Sequence, residues 1–225
     1  MSTSEHRDWP AFLAAISANP DDDSLRLVAA DFLEENGDPD RAMFIRIQVE
    51  LARLETIGLG KSPEVDHLRR KERAFLGPLS VFRSLWAAEA CPELVRIGSR
   101  SHSLDAPGSM TVEGAETIFF RRGFVEGVAC SAEQWLQHAR AIRSRNPVQR
   151  LLLFSVHLDR GDWWVLLPLL RGLRLLILAE SGFDPGTAER VAWLQSQLPG
   201  IPVLTFPQRS SAMIELFRAV PTPHR

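Results

Sequence analysis

Four short apolar runs decide the fold: GFVEGVACS at 123–131, NPVQRLLLFS at 146–155, GLRLLILAE at 172–180 and GIPVLTFP at 200–207. They share the template apolar-x-x-apolar-x-apolar, at Val125/Val128/Cys130, Val148/Leu151/Leu153, Leu173/Leu176/Leu178 and Ile201/Leu204/Phe206. Successive starts lie 23, 25 and 28 residues apart, and helical periodicity follows each of the first three runs. A strand and a return helix recurring at this interval mark a solenoid-like array, in which each unit buries its apolar face by stacking on the next.

The intervening segments carry helix signals. Ser131-Ala-Glu-Gln134 is a capping box ahead of Trp135, Leu136, Ala139 and Ile142. Asp162 precedes Trp163, Leu166, Leu167 and Leu170, and Asp184-Pro185 opens a third helix carrying Ala188, Val191, Leu194 and Leu198 before Pro199-Gly200 stops it. Strands joined by helices of this length form a parallel sheet with right-handed crossovers, because parallel neighbours need a connection that returns the chain. Ser210 to Val220 reads as a closing helix that shields the last strand edge. Where leucine-rich repeats hold Asn or Cys, this chain has Glu133, Val156, Ser181 and Arg209, so their regular polar ladder cannot form. A short ordinary α/β layer is the alternative to a degenerate leucine-rich-like array.

Upstream, three amphipathic helices follow one another. Asp8 caps the first, with Phe12, Leu13 and Ile16 as its stripe and Asn19-Pro20 as its stop. Asp23 or Ser24 starts the second, in which Leu25, Val28, Ala29, Phe32 and Leu33 form the apolar face before Asn36-Gly37. Asp38-Pro39 opens the third, with Phe44, Ile47, Leu51 and Leu54 along one side. None can bury its stripe alone, so the three pack together.

Leu25 to Gln48, LRLVAADFLEENGDPDRAMFIRIQ, closely resembles the bacterial repeat-companion domain family, whose usual form is approximately RLVYADWLEERGDPxRAEFIRLQ. Ala29 replaces the family's common Tyr and Phe32 its common Trp, which reduces aromatic bulk. Family members often continue into a segment like Phe120-Arg121-Arg122-Gly123-Phe124-Val125-Glu126, present here, and then into leucine-rich-like repeats. The resemblance implies an architecture and no established activity.

Pro63 to Leu76 reads as a helix with a basic surface at Arg69, Arg70, Lys71 and Arg73, and Leu79, Phe82, Leu85 and Trp86 suggest a further apolar face ending near Pro92. Gly98 to Ser109, GSRSHSLDAPGS, is a loop by composition. The expected fold is therefore α/β (α+β overall), with a helical companion domain at 1–90, a loop-rich connection at 91–118 and leucine-rich-like repeats with a capping helix at 119–225.

A net charge of −2 hides an asymmetry, since residues 1–60 carry 5 Lys/Arg against 12 Asp/Glu and the remainder carries a positive excess. Two cysteines, Cys91 and Cys130, are too few for a disulfide framework and stand in no metal-type spacing with the histidines, so neither a metal nor another cofactor is expected. The N-terminus lacks a signal-peptide pattern and no run approaches the roughly 20 apolar residues of a membrane span. The expected location is the cytoplasm, with no membrane partner.

Function follows from the strand faces. With Leu151 and Leu153 toward the helices, the period of two places Arg150, Leu152 and Phe154 on the other face, beside Leu175, Ile177, Val203 and Thr205. An apolar face of that size binds a partner protein unless the N-terminal helices or the 98–109 loop cover it. The expected function is a non-enzymatic protein interaction or adaptor module. The alternatives are a nucleic-acid binder using Arg69, Arg70, Lys71, Arg73, Arg121, Arg122, Arg140, Arg143 and Arg145, or a structural subunit that self-assembles. An enzyme would centre on His157 with Asp159 and Asp162, yet no nucleophile elbow, phosphate-cradling loop or HExxH pair accompanies them. Asp31, Glu34 and Glu35 could suggest a carboxylate site, yet on a helix Asp31 and Glu35 simply share an exposed flank or pair with Arg26 and Arg46.

Overall fold

A computed structural model describes residues 7–77, 80–99, 110–114, 117–154, 160–179, 187–206 and 217. The chain divides into two compact units, Met1–Val125 with Ser144–Pro147, and Glu126–Arg143 with Val148–Arg225.

The first unit contains α1 (Trp9–Ala18), α2 (Asp23–Glu35), α3 (Pro39–Thr56), α4 (Pro63–Leu76) and α5 (Val81–Ala90). Asp22 caps α2, its carboxylate accepting from Ser24 N at 3.0 Å, one residue before the expected start. At the other end Gly37 takes φ +86°, Asp38 N donates to Leu33 O and Gly37 N to Glu34 O, a Schellman stop. Asp38 then caps α3 through Arg41 N at 3.1 Å, so Gly37-Asp38-Pro39 closes one helix and opens the next within three residues.

Helix α3 is buried along two stripes where the periodicity showed one. Ala42, Ile45 and Val49 pack with Ala29, Ala30 and Leu33 of α2 and with α1. Phe44, Ile47, Leu51 and Leu54 pack with Val65 and Phe75 of α4 and Trp86 of α5. On α2 the buried face is turned from the expected one: Arg26, Ala29, Ala30 and Leu33 are inside while Val28 is 54% exposed. On α5, Trp86 and Ala87 are buried, whereas Val81, Phe82 and Leu85 are exposed.

The stretch expected as a loop-rich connection contains strands β1 (Arg96–Ser99) and β2 (Met110–Glu113), paired antiparallel with Ile97 opposite Val112. Gly98 and Ser99 thus belong to a strand, and 100–109 lie outside the described residues. Strand β3 (Ile118–Arg121) follows, joined by a two-residue turn to β4 (Phe124–Ser131).

The second unit continues with α6 (Ala132–Arg145), β5 (Arg150–Phe154), α7 (Arg160–Leu170), β6 (Leu175–Ala179), α8 (Thr187–Gln197) and β7 (Val203–Phe206). The strand order is β3-β4-β5-β6-β7, with β4 through β7 parallel. The expected capping box is present: Gln134 N donates to Ser131 Oγ at 3.1 Å and Ser131 N to Gln134 Oε1 at 2.9 Å. Trp135, Ile142, Leu166, Leu170 and Leu194 are buried, as their spacing required. Among the described residues no helix is long and apolar enough to cross a membrane.

Candidate interaction surfaces

The residues of the companion-like segment converge on the turn between β3 and β4. Arg122 (φ +50°) and Gly123 (φ +84°) form a two-residue hairpin turn of the type that matches strand twist. Gln48 on α3 reads that turn: its Oε1 accepts from Gly123 N at 2.7 Å, while its Nε2 donates to Glu72 at 2.7 Å and to Phe120 O at 3.4 Å. Arg122 turns inward, Nη1 donating to Pro20 O at 3.2 Å and Nε lying 3.3 Å from Asp23. Arg26 is fully buried, its guanidinium 5.9 Å from the Phe124 ring, which stacks on Trp9 at 5.8 Å.

Arg41 lies among Trp86, Phe120 and Phe44, at 4.6, 5.1 and 5.5 Å from their ring centres. Burial pushes its pKa down to about 10, against the opposing pull of Glu89 and Asp38, so it stays a cation at neutral pH. These buried polar groups hold a hairpin to a helix pair; their chemistry is positional. Gln48→Leu keeps the volume but strands the buried Gly123 N–H. Its urea midpoint is expected to fall by the equivalent of about 2 kcal/mol.

The strand face expected to bind a partner is not an open surface. Leu152 is 1% and Ile177 0% exposed, and Arg150, Leu175 and Val203 are also buried; Phe154 is half-buried and Thr205 exposed. Nor do the seven share one face. Leu152 pairs with Ala129 and Ile177, and Ile177 with Leu204, whereas Val203 pairs with Leu176 and Thr205 with Leu178. Leu204 and Phe206 therefore occupy the face assigned to Val203 and Thr205. The last run enters the sheet one residue out of step with the template, and a period of two turns that slip into a change of face.

Part of the cover comes from the chain's own C-terminal segment. Arg150 Nη1 donates to Phe217 O at 3.0 Å, and Phe217 is itself buried. This residue, which belongs to the expected closing helix, meets the sheet at β5. The rest of Ser210 to Val220 lies outside the described residues.

What is exposed lies elsewhere. Trp163 is buried, but Trp164 is 59% exposed and meets Trp193 of α8 edge-on at 5.3 Å, with Val165 exposed beside it. In the first unit, Arg46 crosses from α3 to α2, bonding Asp31 at 2.7 Å and Glu34 at 2.6 Å. The hydrogen bonds it donates to Asp31 and Glu34 hold its pKa above the ordinary arginine value. The chain matches no family model, no curated protein and no solved structure.

The cations proposed for nucleic acid are mostly occupied. Arg69 pairs with Glu55 at 2.7 Å, Arg145 pairs with Glu93, Arg143 donates to Leu169 O at 3.0 Å, Arg122 is buried, and Arg121 has a partner as well. Arg70, Lys71, Arg73 and Arg140 are exposed and carry no ion pair among the described residues. His157 and Asp159 lie outside the described residues, while Asp162 sits in the first turn of α7. Among the described residues no group of three or more His, Cys, Asp or Glu is placed to hold a metal ion. Cys91 and Cys130 are buried and not joined in a disulfide, and burial pushes the Cys91 thiol up to about 12.

Proposed function

We propose that the protein is a non-enzymatic interaction module, an adaptor that offers the Trp164–Trp193 pair to another protein. The observation that carries this reading is the pair itself: two indoles in edge-on contact at 5.3 Å, one of them 59% exposed. Trp163 already fills the core, so the exposure of Trp164 is not required by packing. Tryptophan is the side chain that most often anchors a protein interface, because it removes a large apolar area from water at little cost in rotamer entropy. The partner would provide an apolar cleft with an acceptor for an indole N–H.

Two further observations support the assignment. The companion-like segment and its hairpin serve packing, as does every buried arginine beside them, which is the behaviour of a scaffold. The resemblance to repeat-companion proteins points the same way, toward a helical domain that accompanies a strand-helix array. Two buried cysteines outside any disulfide suit a reducing compartment, and we place the protein in the cytoplasm on that ground.

The test is co-purification from the native cell, followed by titration of the purified partner against wild type and Trp164→Ser/Trp193→Ser. Affinity should fall at least about a hundredfold, the effect of losing an interface anchor. Undiminished binding by the folded variant would move the contact elsewhere.

A further inference from the structure

The first unit carries two exposed apolar faces of opposite charge. On α4, Arg70, Lys71 and Arg73 are exposed and without an ion pair among the described residues. On the neighbouring α5, Val81, Phe82 and Leu85 are 55, 37 and 45% exposed. The two groups adjoin: Phe82 packs on Phe75 at 5.5 Å, and Phe75 lies one turn beyond Lys71 on α4. Of the acidic residues of α4, Glu72 turns to Gln48 on α3 and Glu64 and Asp66 lie in the first turn, Asp66 one turn before Arg70, so Lys71 and Arg73 at the α5 end carry the positive excess.

The second face lies on α2 and α3. Val28 and Met43 are 54 and 50% exposed. Val28 stands one turn before Asp31, and Met43 one turn between Asp40 and Arg46. Arg46 serves two carboxylates, Asp31 and Glu34, which leaves that triad net negative, and Glu35 and Asp40 are exposed without a partner among the described residues. The two faces rest on different sides of α3, one over the Ala42/Ile45/Val49 stripe and the other over the Phe44/Ile47/Leu51 stripe.

We propose that the occupant of the basic α4–α5 face is the acidic α2–α3 face of a second copy of this chain. Apolar side chains meet apolar side chains, and the unpaired cations of one copy meet the carboxylate excess of the next. Because the two faces differ, the contact is heterologous, so it propagates head to tail instead of closing as a two-fold dimer. It uses neither Trp164 nor Trp193, so it stands or falls separately from the adaptor reading.

Sedimentation of the full chain at low salt, across roughly 1–300 µM to bracket a weak interface, should show mass rising beyond the dimer. Raising the salt to about 1 M, where the Debye length is near 3 Å, should reduce it. Glu35→Lys/Asp40→Lys and Lys71→Glu/Arg73→Glu should each weaken self-association at least about tenfold by placing like charges opposite one another. Mixed together they should again form species beyond the dimer, because the unaltered basic and acidic faces pair and the two charge-reversed faces are complementary to each other. Combining all four substitutions in one chain should restore the open series. A wild type that stays monomeric throughout, or two folded variants that fail to recover on mixing, would overturn the proposal, and binding of the basic face to acidic peptide or anionic vesicles alone would replace the occupant.

Discussion

Gly123→Ala is expected to destabilise the helical unit by more than about 3 kcal/mol, the combined effect of backbone strain and overpacking. The strain comes from φ +84°, which an L residue adopts only at a cost. The overpacking comes from Ile45: a Cβ on Gly123 would lie 2.7 Å from the Ile45 Cα and 2.8 Å from its Cβ. Ile45 is fully buried in α3, so neither partner can step aside without opening the helix pair or pulling the hairpin from Gln48. Gly37→Ala separates the two effects, for Gly37 has φ +86° with nothing within 4 Å of an added Cβ. That variant should lose only about 1 kcal/mol. Urea denaturation of both proteins measures the difference, and equal losses would show that the hairpin does not sit against α3.

Leu152→Asp is expected to unfold the strand-helix unit, with a loss of at least about 4 kcal/mol. The carboxylate would stand between Ala129 and Ile177 on neighbouring strands, at a position 1% exposed. Thr205→Asp, on the exposed part of the edge strand β7, should change stability by no more than about 0.5 kcal/mol. Circular dichroism and a urea midpoint compare them. A folded Leu152→Asp protein with an ordinary midpoint would mean that the sheet face is open to solvent and available to a partner after all.

The two variants mark where local pattern was legible and where it was not. The Ser131/Gln134 capping box and the 63–76 helix are written in adjacent residues and formed as read. The pairing of Val128 with Leu151, and of Leu151 with Leu176, followed from equal template positions. The fourth strand did not, because Val203 and Leu204 are adjacent apolar residues and nothing in GIPVLTFP distinguishes them as the inward one. Val28 was placed inside by its helical spacing, yet Arg26 took the buried face. Periodicity counts apolar groups and cannot foresee a guanidinium sheltered beside an aromatic ring.

The interaction surfaces were the least legible part. Trp163-Trp164 is a pair in sequence, and one residue of rotation sends the first inward and the second outward. That Trp164 meets Trp193 depends on two helices separated by a strand. Likewise, four of the nine cations grouped as a nucleic-acid footprint are engaged by groups distant in sequence, such as Glu93 for Arg145 and Pro20 for Arg122.

By itself the sequence determined the helices, the parallel strands and their order, since caps, stops and periodicity act within a few residues, but not the β1–β2 pair in the stretch read as a loop. The tertiary structure alone decided which side of each element is core and which is surface. Register, the second stripe of α3 and the cover over β5 depend on residues as far apart as Gln48 and Gly123 or Arg150 and Phe217, whose meeting is a property of the packed chain.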